Sequence, residues 1–282
     1  MGLRQLATAL TILLVSGSST LPAVPSSVAD RPPLSPKQLR ESLMADCMKR
    51  HRFRYIQDLE GPAPLTEAER RLAEGDYTAM LADREKNGFR IFARFVFPDD
   101  TGPGGVAAYR MHPNTETIRA LSRAQAQAYF EAQTPCYVWA AERALGRKVT
   151  SFEDLDAKLK VAAEATMQRA LDSDLQLSAE ARDYAACLKS KGRPVADTRP
   201  SQITSQVQNS LLDQLWELGR LQWPRMRGNV MPNLSRFEAA PYFREEVRAA
   251  LDDLECGKDF YPVYQPRANA VQARVSREWG LE

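Results

Sequence analysis

The chain has 282 residues, with 38 Lys and Arg against 36 Asp and Glu and a formal net charge of +2. So even a balance argues for neither nucleic acid nor a membrane surface as partner, and a mean hydropathy of −0.44 suits a soluble protein. The length supports one large or two small helical units with a real hydrophobic core, so folding does not depend on disulfides.

Residues 1–29 read as a secretory signal peptide: Arg4 is the positive end, Leu6 to Val15 form the apolar run, and small residues with prolines follow. The run is about half the length of a membrane-spanning helix, so no membrane anchor is expected. Cleavage is placed after Ala29, with Ala23 and the stretch from Ser16 to Ser19 as alternatives. A retained amphipathic helix is the competing reading, and the absence of a polar face counts against it. The product is expected to be secreted and extracellular, a domain over 30–282 that folds as one unit or as two halves, 30–176 and 177–282.

Ser35-Pro36-Lys37-Gln38 opens the first helix with a capping box and a proline at the first helical position. Leu39, Leu43 and Cys47 follow at steps of four on its buried face. Arg52 to Tyr55 reads as extended, and Thr66 with Glu69 starts a second helix that runs as far as Asn87, with Gly88 as its stop. Residues 89–97, FRIFARFVF, are the best strand candidate, with 52–55 or 106–111 as partner. Ser122 with Gln125 reads as another capping box, and Thr134-Pro135 as a fresh helix start that puts Cys136 in a first turn.

Thr150 with Glu153 and then Ser178 open two further helices, the second stopped by Gly192. Val207, Leu211, Leu215 and Leu218 mark another, and an irregular stretch from Gln222 to Ser235 is the clearest internal linker. Ser235 with Glu238 reopens helix, with Pro241 in its first turn or breaking it, and Pro262 and Pro266 precede a C-terminal helix ending near Trp279. The fold class is therefore mainly α: a disulfide-braced helical domain with at most a small β element near 52–55 and 89–97.

The cysteines are Cys47, Cys136, Cys187 and Cys256, an even count that in an exported chain predicts two disulfides. Of three pairings, Cys47 with Cys136 and Cys187 with Cys256 is favoured, because each then braces one half. Ala45-Asp46-Cys47-Met48-Lys49 also echoes Ala185-Ala186-Cys187-Leu188-Lys189. Zinc competes weakly, since Cys47 and His51 are the only closely spaced ligand pair, and a thiol nucleophile served by His51 or His112 more weakly still. No metal and no cofactor is expected.

These surroundings carry a resemblance. Cys47-Met48 followed by Phe53 and Tyr55, Asn87-Gly88-Phe89, Pro113-Asn114 ahead of Cys136, Cys187 followed by Gly192, and Asp253 before Cys256 are similar to a group of uncharacterised secreted helical proteins of actinobacteria. Arg52 departs from it, standing where such proteins commonly have glycine. The resemblance implies export and paired cysteines, and carries over no catalytic residue.

No GxSxG, SxxK or HExxH is present, and neither histidine has local catalytic company. The loop from Asp99 to Gly105 could present oxygens to calcium or amides to an anion, but a plain turn is the simpler reading. Arg220, Trp223, Arg225 and Arg227 form the best candidate binding site, suited to an anionic polymer by charge and stacking. An interhelical loop with Trp223 tucked into the core competes with it. The expectation is a non-enzymatic domain that binds an extracellular protein or a cell-envelope polymer. The alternative is a secreted hydrolase acting on envelope glycan or peptide through dispersed acids or a histidine.

Overall fold

The computed structural model describes residues 33–61, 64–98 and 111–281, and the expected signal peptide over 1–29 and the stretch 99–105 lie outside them. Helices α1 (Pro36–Arg50), α2 (Glu67–Ala73), α3 (Tyr77–Asn87), α4 (Ala93–Val96), α5 (Thr115–Arg119) and α6 (Arg123–Leu145) make up the first part. After them come α7 (Phe152–Leu171), α8 (Leu175–Ser190), α9 (Pro200–Ile203), α10 (Gln206–Gln222), α11 (Arg236–Cys256) and α12 (Tyr261–Glu278). Capping boxes at Ser35, Thr66, Ser122 and Ser235 each satisfy orphan amides in the first turn.

Several helix boundaries differ from the sequence reading. The stretch 67–87 is two helices, not one, because Gly75 at φ +75° turns the chain and Asp76 caps a new start at Tyr77 by accepting the Ala79 amide. Helix α7 takes Ser151 as its cap, while α8 begins at Leu175 on an Asp174 cap rather than at Ser178. Pro135, Pro241 and Pro266 lie inside continuous helices, so Cys136 sits mid-helix rather than in a first turn. Tertiary packing carries α6 past its proline: Ala132, Cys136 and Ala140 are buried against α1 on both sides of it.

The strand expectation is overturned, as the described residues contain no strand. Residues 89–97 curl into a turn and the single-turn α4, because Glu246 on α11 receives the Ile91 and Phe92 amides at 2.7 Å each. A carboxylate thus supplies the acceptors a partner strand would have supplied. Gly88 makes the approach possible, since a Cβ there would stand 2.7 Å from the Glu246 side chain. Arg52 sits at φ +65°, and the amides of Arg52 and Phe53 reach back to Lys49 and Met48. The glycine-type helix stop therefore forms with arginine in the left-handed position.

Three clusters of apolar side chains build the core of residues 34–282, which form one compact unit. The central one gathers α3, α8, α10, α11 and α12 around Phe92, Tyr184, Leu188, Leu215, Leu254 and Phe260. A second joins α1 to α6 through Met44, Met48 and Tyr129, and a third closes α7 on α12 through Leu155, Val275 and Trp279. One disulfide sits in or beside each of the first two. Cys47 is bonded to Cys136 and Cys187 to Cys256, with Cα atoms 5.6 and 5.4 Å apart. The protein is thus a disulfide-braced, mainly α domain.

Candidate functional site

Three assemblies of polar side chains stand out. The first is sealed in the core. Asp253 of α11, fully buried, accepts hydrogen bonds from the Arg84 guanidinium of α3, the Tyr184 hydroxyl of α8 and, at 2.6 Å, the Tyr261 hydroxyl of α12. Arg84 also donates to the Ala250 carbonyl at 2.8 Å and lies over the rings of Phe89 and Tyr261. Burial pushes the Tyr184 and Tyr261 hydroxyls well above the usual phenol range, with Asp253 adding to it and the Arg84 charge opposing it at Tyr261. This buried network ties α3, α8, α11 and α12 together around one carboxylate.

The second is a cavity of about 330 Å³ between α1, α6 and the segment that follows α1. Lys37, Arg40, Glu41 and Met44 of α1 form one wall, Gln133 and Tyr137 of α6 another, and Tyr55, Asp58, His112, Phe152 and Leu281 complete it. Glu41 is buried, and one of its oxygens takes the Tyr55 hydroxyl at 2.9 Å and the Asp58 amide at 3.0 Å. The other faces Arg40 at 3.3 Å. Burial, and then Glu41, raise the Tyr55 hydroxyl far above its ordinary range. The cavity thus collects two acids, a histidine and two cations, but Glu41 is occupied as a structural acceptor.

The third is the connection between α10 and α11. Gln222 and Asn233 clasp its ends by a reciprocal pair of hydrogen bonds at 2.6 and 3.1 Å. Beneath it, Val230 packs so closely on Gly219 that a Cβ on the glycine would meet the Val230 carbonyl oxygen at 1.7 Å. A closed loop with its own anchoring results, and every residue from Leu221 to Asn229 is exposed. Arg220 pairs with Glu217 at 2.5 Å on the helix surface, whereas Arg225 and Arg227 have no ion pair among the described residues. Trp223 is 48% exposed rather than tucked into the core, alongside exposed Leu221 and Met226. Of the four residues singled out from sequence, Trp223, Arg225 and Arg227 lie on this exposed connection and Arg220 in the last turn of α10, while Met231 on the connection and Phe237 in the first turn of α11, which sequence reasoning passed over, are also exposed.

The histidines part company. His51 caps α1 at the surface, and its imidazole lies within 4.8 Å of the Cys47 and Cys136 sulfurs. Those sulfurs are bonded to each other, which removes the thiolates a zinc ion needs. His112 stands at the cavity, accepting the Asn114 amide on Nδ1 at 3.2 Å. A shallower trough of about 630 Å³ between α7 and α12 is floored by Ala162, Ala165 and Trp279 and rimmed by Arg147, Lys158 and Arg169. No described helix is long and apolar enough to cross a membrane. No protein family, curated protein or solved structure matches the chain.

Proposed function

We propose that this is an exported, non-enzymatic binding domain whose α10–α11 lobe docks an acidic surface of an extracellular protein. The observation that carries the reading is the lobe itself: a clasped loop presenting Trp223, Met226 and Leu221 together with two arginines that have no ion pair among the described residues. Tryptophan, methionine and arginine are the residue types enriched where proteins meet, and a preformed loop loses little freedom on binding. The apolar share of the lobe favours a protein over a hydrophilic envelope polymer, which would use the arginines and leave the apolar side chains wet. The paired cysteines and the lack of a described spanning helix are compatible with the exported setting.

The test is photo-crosslinking from position 226 in the envelope fraction of the producing cell, followed by rebinding of the captured protein in purified form. Trp223→Ser and the double change Arg225→Ala with Arg227→Ala should each weaken rebinding by tenfold or more. Retention on anionic wall polymer that falls with the double change and ignores Trp223→Ser would support the polymer instead. Rebinding that ignores both changes refutes the lobe as the site.

A further inference from the structure

The cavity beside α1 has a surplus of hydrogen-bond donors that the protein does not use. Lys37 is nine-tenths buried, yet among the described residues its ammonium meets only the Glu60 carbonyl, at 2.6 Å, so two of its three donors remain. The Arg40 side chain is similarly enclosed, at 11% exposure, and its two contacts with Glu41 are long, at 3.3 and 3.4 Å. The Gln133 amide and the Tyr137 hydroxyl make no hydrogen bond among the described residues. His112 accepts the Asn114 amide on Nδ1, which leaves Nε2 as the ring's donor.

On the acceptor side, Glu41 is filled by Tyr55, Asp58 and Arg40, as described above. Asp58 lines the cavity as well, so formal charge is even, and the bias lies in hydrogen-bonding capacity rather than in net charge. Enclosed cations with incomplete partners are costly, and an incoming anion would repair that deficit. The remaining walls are flat and apolar. Tyr137 stacks on Phe152 with ring centres 4.3 Å apart, Arg40 lies over the Tyr137 ring at 5.6 Å, and Met44 and Leu281 close the sides. The volume of about 330 Å³ is near the lower end of small-molecule sites, roughly 300–1,000 Å³.

We infer that this cavity binds a small carboxylate carried on a flat apolar body, its oxygens received by Lys37 and Arg40 and its body laid along Tyr137 and Phe152. The site is separate from the α10–α11 lobe and stands or falls without it. Benzoate is the probe, with benzamide as its uncharged counterpart, each followed by amide-resolved NMR titration of the oxidised protein. Benzoate should shift cavity resonances and bind at least about tenfold more tightly than benzamide, the worth of one charge-assisted hydrogen bond. Lys37→Met should remove most of that preference. Because Lys37 also holds Glu60, a second variant guards the test: Gln133→Trp fills the cavity from a side chain with no partner to lose, and should abolish binding with the thermal midpoint kept. Equal affinity for benzoate and benzamide, cavity resonances unmoved by benzoate, or unchanged binding in Gln133→Trp overturns the inference.

Discussion

Asp253→Asn tests whether the sealed network, rather than the disulfides alone, holds the central helices together. The substitution keeps size and one acceptor oxygen but removes the negative charge from a position with no solvent exposure. Arg84 then remains enclosed beside the Ala250 carbonyl, a neutral amide and two aromatic faces, without its counter-charge. Breaking a buried ion pair from one side costs about 3–5 kcal/mol, a large part of the roughly 5–15 kcal/mol stability of a domain. Removing both charges, as Arg84→Met with Asp253→Leu, should be milder. It leaves Tyr184 and Tyr261 hydrogen-bonded to each other at 2.9 Å, with one hydroxyl proton unplaced, for about 1–3 kcal/mol. Urea unfolding of the oxidised proteins, followed by far-UV circular dichroism, measures both. A loss below about 1 kcal/mol in Asp253→Asn, or a double variant worse than the single one, refutes the account.

The same network predicts the response to alkali. Tyr184 and Tyr261 have folded-state pKa values raised above their unfolded value of 10.0. Above pH 10 the unfolded chain therefore sheds protons that the native one keeps, and stability falls as pH rises, by up to about 1.4 kcal/mol per pH unit for each tyrosine. Unfolding midpoints across pH 9 to 11 should fall less steeply in Tyr184→Phe, and an identical slope counts against the assignment. Gly219→Ala should destabilise by roughly 1–3 kcal/mol and change Trp223 fluorescence by pushing Val230 away, although alanine is the better helix former. A gain in stability would mean that the lobe is not anchored there. Reduction of either disulfide should cost about 4 kcal/mol in the chain-entropy account, the closed loops spanning 89 and 69 residues. Intact-mass measurement of the exported product should find a chain starting near Asp30 and lighter by four hydrogens than its reduced form, and peptide mapping that joins Cys47 to any residue but Cys136 contradicts the pairing.

Helix starts were the most legible part of the chain, because a capping box is local chemistry: Ser35, Thr66, Ser122 and Ser235 each satisfy amides three residues away. The favoured cysteine pairing was legible for a different reason, since the location of each cysteine in a helix of the same half left a short list of bridges. The arginines and tryptophan of the α10–α11 connection could be named as a group. That they form a clasped, outward-facing lobe could not, because the clasp is made by Gln222 and Asn233 across eleven positions and the seat by Val230 on Gly219.

What only the tertiary structure decided was where distant acceptors are supplied. Residues 89–97 have the composition of a strand, and they curl because Glu246, some 155 positions away, takes their amides. Asp253 looks from sequence like a solvated acid next to Asp252. Yet Asp252 faces Lys191 and Arg193 at the surface, while its neighbour turns inward to Arg84, 169 positions distant. The cavity gathers its lining from both ends of the described chain, Lys37 to Leu281, in a way no spacing rule reports. Sequence determined the helical class and the caps, set by neighbours a turn or two away, and the short list of cysteine pairings, set by an even count in separate helices. Buried charge, helix passage through proline and the shape of the sites were decided by contacts between segments far apart in the chain, which local propensity does not encode.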